Sequence, residues 1–153
     1  MSAEELPLSF WQGVQEFQQG QFYECHDTLE ALWIEAQEPH KTFFQGILQI
    51  AVACYHLGNQ NWRGTVILLG EGIRRLSPYQ PDYGGIDINH LLDTSSALLS
   101  HLQQAGPERV TEYTSMILEY GSQAITAGTQ SDILPRLRQV VGDPPQPPLK
   151  RGD

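Results

Sequence analysis

The sequence is short of positive charge. Its 153 residues hold 9 Lys+Arg against 18 Asp+Glu, a formal net charge of −9. A phosphate backbone is bound by surplus Lys and Arg, so the balance speaks against nucleic-acid binding. It speaks equally against an anionic membrane surface. Long apolar runs are missing too. The purely apolar stretch at 50–55 is far shorter than the roughly 20 residues a membrane span needs. The start, Met-Ser-Ala-Glu-Glu, lacks a basic region and an apolar region, so no secretory leader is expected. There are only 2 cysteines, Cys25 and Cys54, without Cys-x-x-Cys spacing. Each sits among apolar helical residues and reads as a buried, reduced thiol, which places the protein in the cytoplasm.

Strand patterning is absent as well. No segment alternates every two residues with β-branched enrichment, so the expectation is an all-α fold with no sheet. Phe10, Val14 and Phe17 repeat at helical spacing, and Gly20 stops a first helix near residues 8–19. A second spans about 22–36 and a third about 41–57, with Gly58 as its C-terminal cap. Asn61 caps a fourth, whose face carries Trp62, Val66, Leu69, Ile73 and Leu76. Pro78, Pro81, Gly84 and Gly85 mark 77–86 as the one substantial loop. Asp87 caps a fifth helix, Gly106-Pro107 separates it from a sixth, and Ser131-Asp132 opens a short last helix to about 141. The prediction is a compact bundle of six to seven helices forming one domain over 1–142. A Pro-rich, disordered tail follows over 143–153. Trp11, Trp33 and Trp62 read as core anchors, and His40 and His101 as solvated. Arg63, Arg74 and Arg75 form the basic patch of the fold and are expected to pair with the acidic N-terminal helices. Residues 1–40 hold eight acids and no Lys or Arg.

The polar residues of the second and third helices follow a pattern of their own. At about 100° per residue, with Phe22 as zero, His26 falls inside the apolar stripe of the second helix and Glu30 on its edge. Asp27 and Glu24 face water. The third helix is apolar almost all round, which marks it as central. Its exceptions, Gln45, Gln49 and His56, share one narrow stripe. Two amides and an imidazole are unusual for a solvent face and suggest a seam against another helix. A short connection makes the two helices an antiparallel hairpin. If the seams meet, His26, Glu30, Gln49 and His56 converge in the interior.

Such a group can serve three ends. It can be a buried hydrogen-bonded network that fixes helix register. It can be a surface for a protein partner. It can also be a metal centre, because two imidazoles and a carboxylate are the ligand set of open zinc or non-haem iron sites. In the metal reading His26, Glu30 and His56 are ligands of zinc, manganese or iron. Gln45 and Gln49 support them, and Glu30 or Asp27 is the proton-accepting catalytic group. Stronger signatures are missing: there is no His-Glu-x-x-His, no Glu-x-x-His, no Gly-rich phosphate loop and no Gly-x-Ser-x-Gly.

Two long motifs carry a family likeness. One is Phe22-Tyr23-Glu24-Cys25-His26-Asp27-Thr28-Leu29-Glu30-Ala31-Leu32-Trp33. The other runs from Phe44-Gln45-Gly46-Ile47-Leu48-Gln49 through Tyr55-His56 to Gly58-Asn59 and Gly64. They resemble the signature of the domain of unknown function 309 family over about residues 10–76. Asp27 stands where that family often has Glu, and Cys25 where a small residue is usual. The resemblance implies an all-helical bacterial or plastid protein, of a kind often labelled a predicted metal-dependent hydrolase. It also implies that His26, Glu30, Gln49 and His56 are its characteristic polar positions. The competing reading is a non-enzymatic helical interaction module.

Overall fold

The third helix has too few polar groups to face water, and it ends up in the middle of the molecule. In the computed structural model, which describes residues 6–123 and 133–140, the chain runs α1 (Leu8–Gln18), α2 (Phe22–Glu35), α3 (His40–Gly58) and α4 (Trp62–Leu76). A short hairpin of β1 (Asp82–Tyr83) and β2 (Ile86–Asp87) follows. Then come α5 (Ile88–Ala105), α6 (Val110–Leu118) and α7 (Tyr120–Gln123). Helix α3 buries Phe43, Phe44, Ile47, Ile50, Ala51, Ala53, Cys54 and Leu57, and packs against α2, α4 and α6. Around it close Phe10 and Phe17 of α1, Leu29 of α2, Leu69 and Leu76 of α4, Leu98 and Leu102 of α5, and Ile117 of α6.

The helix boundaries follow the local chemistry. Asn61 accepts a hydrogen bond from the Gly64 amide at 2.9 Å, and Asp87 accepts one from the His90 amide at 3.0 Å. Both side chains satisfy amides left open in a first helical turn. Gly20 and Gly106 adopt positive φ of 79° and 80°, as chain-reversing glycines should. Gly58 does not act as the expected cap. It is the last helical residue, and the left-handed position falls on Gln60 at φ 60°.

Two expectations are corrected. The 77–86 loop contains a two-stranded antiparallel hairpin, pairing Asp82 with Asp87 and Tyr83 with Ile86. Gly84 and Gly85 both have positive φ, the requirement of a type I′ turn between two strands. The predicted last helix is absent from 133–140, while its proposed cap, Ser131-Asp132, lies outside the described residues, as does the tail from Asp143. Instead 133–140 is an extended strap. Its Arg138 carbonyl accepts from the Asp87 amide at 3.0 Å, and its Val140 amide donates to the Gly85 carbonyl at 2.9 Å. Leu134 and Leu137 are buried beneath it, and the buried Tyr120 hydroxyl donates to the Pro135 carbonyl at 2.6 Å. Bonding to the hairpin edge and burial of two leucines outweigh the weak local preference for a helix that contains a proline.

Helices α3 and α4 meet through glycines. A Cβ on Gly46 would lie 2.5 Å from Leu76 Cγ, and one on Gly72 would lie 2.7 Å from Ile50 Cγ1 and 3.1 Å from the Gly46 carbonyl. Gly70, on the far side of α4, meets nothing within 4 Å. Gly46→Ala should therefore destabilise the protein by about 1–3 kcal/mol through overpacking. Gly70→Ala should stabilise it by up to about 1 kcal/mol through helix propensity. Urea unfolding of the two variants checks both signs.

Candidate functional site

Helix α2 carries three donor groups within one turn. His26 Nδ1 lies 3.1 Å from Asp27 Oδ1, and His26 Nε2 lies 3.6 Å from Glu30 Oε1. The ligand atoms of the three residues fall within 4.8 Å of one another, and among the described residues no other His, Cys, Asp or Glu triplet does so. The cluster is open to water: the side chains are 31% (His26), 62% (Asp27) and 45% (Glu30) exposed. His26 and Glu30 are brought together because residues four apart share a helix face. Asp27 points to water as its phase requires, yet its carboxylate reaches the ring of its neighbour.

His56 and the two glutamines stand apart from this cluster. Gln49 Nε2 donates to Glu71 Oε1 at 3.0 Å, and Arg75 Nε donates to Gln49 Oε1 at 3.0 Å. Gln49 does face another helix, but that helix is α4. Gln45 is half-buried one turn earlier on the same stripe. His56 Nδ1 is 3.4 Å from Asn61 Nδ2, and a Cβ on Gly64 would come within 2.9 Å of its ring. The expected convergence of His26, Glu30, Gln49 and His56 does not occur, and Asp27 takes the place expected of His56. One member of the basic patch is redirected in the same way. Arg75 binds the α3 amide rather than an N-terminal carboxylate.

Between the two imidazoles lie two exposed tyrosines. The Tyr23 ring is 6.0 Å from that of His26 and 5.5 Å from that of Tyr55, which in turn is 6.3 Å from His56. Tyr23 and Tyr55 line a cleft of about 230 Å³ together with Phe22, Glu24, Cys54 and Leu118. Tyr23, Tyr55 and Leu118 are large apolar side chains left exposed. The spacing Tyr23–His26 on α2 is the sequence signal for this edge, and apolar phase alone does not reveal it.

Neither cysteine supplies reactive chemistry. Both thiols are free and buried. Burial pushes both well above the ordinary thiol range, and Glu16 adds to the effect at Cys25. His40, expected in solvent, is half-buried and shares a hydrogen bond of 2.7 Å with the Tyr83 hydroxyl. Tyr79 and Tyr83 stack on Phe43 at 5.3 and 4.6 Å, which ties the hairpin loop to the start of α3.

With this geometry in hand, comparison with known proteins settles the likeness. Residues 10–68, from α1 into α4, match the family described as "Domain of unknown function (DUF309)". The family resemblance holds over this segment. A similar curated protein is the "Uncharacterized protein YpuF" of Bacillus subtilis (strain 168), 31% identical over 100 residues. The alignment covers 63% of this chain and 55% of that protein, so the chain spans little more than half of its relative's length. No solved structure gives a significant match. The DUF309 segment contains the α2 triplet, Gln49 and His56, but ends before Glu71 and Arg75. No helix among the described residues is long and apolar enough to cross a membrane.

The separation of the two polar groups is measurable. Gln49→Ala and Arg75→Ala should be non-additive by about 0.5–1.5 kcal/mol, because they share one hydrogen bond. Gln49→Ala and His26→Ala should add to within about 0.5 kcal/mol. Denaturant titration of the single and double variants reads out both cycles.

Proposed function

We propose that this protein is a divalent-cation-dependent hydrolase whose cation is held by His26 and Glu30. The observation that supports it is the His26 Nε2–Glu30 Oε1 separation of 3.6 Å on one face of α2. Two donors each about 2.1 Å from one ion can be at most about 4.2 Å apart, so the pair fits. Asp27 then has a different task. It sits at the other ring nitrogen, where a carboxylate fixes tautomer and orientation and raises the basicity of the ligating nitrogen. This arrangement leaves His56 out of the ligand set.

A bound zinc, manganese or iron ion would supply a Lewis acid and an activated water at neutral pH. The protein's part is to leave that position open and to provide a proton acceptor. Asp27, more than half exposed, can take the proton that an attacking water gives up. The adjoining Tyr23–Tyr55 edge can hold an apolar part of a substrate. The unbridged, buried thiols support a reducing, cytoplasmic setting.

A second reading draws on a different observation. Tyr23, Tyr55 and Leu118 converge on one cleft, and exposed apolar residues that cluster mark surfaces for partners. In that reading the protein is a helical interaction module and the α2 triplet is a solvated ion-pair network.

Equilibrium dialysis against zinc, manganese and iron separates the two. The cation reading expects one ion per chain, lost in His26→Ala and Glu30→Gln, kept in His56→Ala, and weakened about 10–100-fold in Asp27→Asn. Uptake should fall as the medium is acidified, because protons compete for the imidazole. No stoichiometric uptake, or uptake unchanged by His26→Ala, would overturn it and leave the interaction module.

A further inference from the structure

The outward faces of α2 and α4 match each other in spacing and oppose each other in charge. On α4, Arg63, Gly70 and Arg74 stand at i, i+7 and i+11; on α2, Glu24, Ala31 and Glu35 stand at the same three offsets. Eleven residues make almost three whole turns, so each trio lies on one face and spans about 16 Å. The four charged residues and Ala31 are exposed, and Gly70 has open space beyond its Cα. Neither Arg63 nor Arg74 has an ion-pair partner among the described residues. An exposed isoleucine, Ile67, lies about 40° from Arg63 beside the α4 face and is 45% exposed; on α2, Ile34 is 61% exposed but about 80° off the line of the acidic trio.

We infer that these faces are the two halves of a self-association surface, with α4 of one copy seated parallel on α2 of the next. Arg63 then meets Glu24, Arg74 meets Glu35, and Gly70 lies over Ala31. Small residues at the crossing let the axes approach closely. Ile67 supplies the apolar part of the contact against the α2 surface around Ala31, and the charges form its rim. A second copy is the occupant because both complementary halves are present on this chain. The pairing is head-to-tail, so it grows into a chain or closes into a ring. It also provides the cation that the acidic N-terminal helices lack. The charges set orientation and register, and the contact is sensitive to salt because the pairs are exposed.

Two charge-reversed variants of the full chain test this. One is Arg63→Glu with Arg74→Glu, and the other is Glu24→Arg with Glu35→Arg. All four sites are exposed, so circular dichroism should show native helicity in both. Sedimentation velocity in low salt at submillimolar concentration should show the natural sequence associating, with dissociation as sodium chloride is added. Each variant alone should lose association by roughly tenfold or more, since attraction at two pairs becomes repulsion. Mixing the two variants should restore it, because each then presents the charge the other needs. A monomeric natural sequence in low salt would overturn the inference. So would association that survives both reversals, or variants that stay apart when mixed.

Discussion

The burial of α3 is the constraint on which the rest of this structure depends. A helix apolar around nearly its whole circumference cannot sit on a surface without exposing a large apolar area to water, at about 25 cal/mol per Å². The other helices are arranged to cover it. That central position then dictates what happens to its few polar groups. Gln49 lies on the covered side and has both ends of its amide bonded, to Glu71 and Arg75. Even the α3 backbone draws in neighbouring side chains. Thr65 donates to the Ala53 carbonyl and Thr114 to the Leu57 carbonyl. Burial without such partners would cost several times what each bond contributes when made.

Much of the fold was legible in the sequence because its elements are long and strongly periodic. The stripe Phe10–Val14–Phe17 is buried as its phase required. What phase could not report was direction in space. It placed Gln45, Gln49 and His56 on one stripe, and Gln49 does meet another helix, but phase did not say which one. The Gly46 and Gly72 notch brings α4 close to α3, and the stripe is answered from there. The strap at 133–140 escaped for a different reason. Its conformation is set by bonds to Gly85 and Asp87, some fifty residues away, and by burial of Leu134 and Leu137. No local pattern encodes such bonds. The Gly84-Gly85 turn was visible as a loop signal, but strands of two residues are too short to show alternation.

The candidate site follows the same division. His26 and Glu30 are four apart on α2, so their proximity is a property of the helix and could be read directly. His56 belongs to another helix, and its membership depended on tertiary packing that the sequence left open. The structure thus converts an expected interior seam into two separate polar groups. One, Gln49 with Glu71 and Arg75, fastens α3 to α4. The other, His26 with Asp27 and Glu30, is open to water and has the donors for chemistry. A family likeness that spans 10–68 includes the second group whole and, of the first, only Gln49.

In the proposed hydrolase His26, and not His56, is the imidazole that meets a cation. The chain holds five histidines, whose ring signals can be followed by nitrogen-detected NMR. During a titration with substoichiometric manganese, paramagnetic broadening should erase the His26 ring resonances first and leave those of His56 sharp. Equal broadening of His26 and His56, or a His26 signal that survives a full equivalent of manganese, would contradict the account.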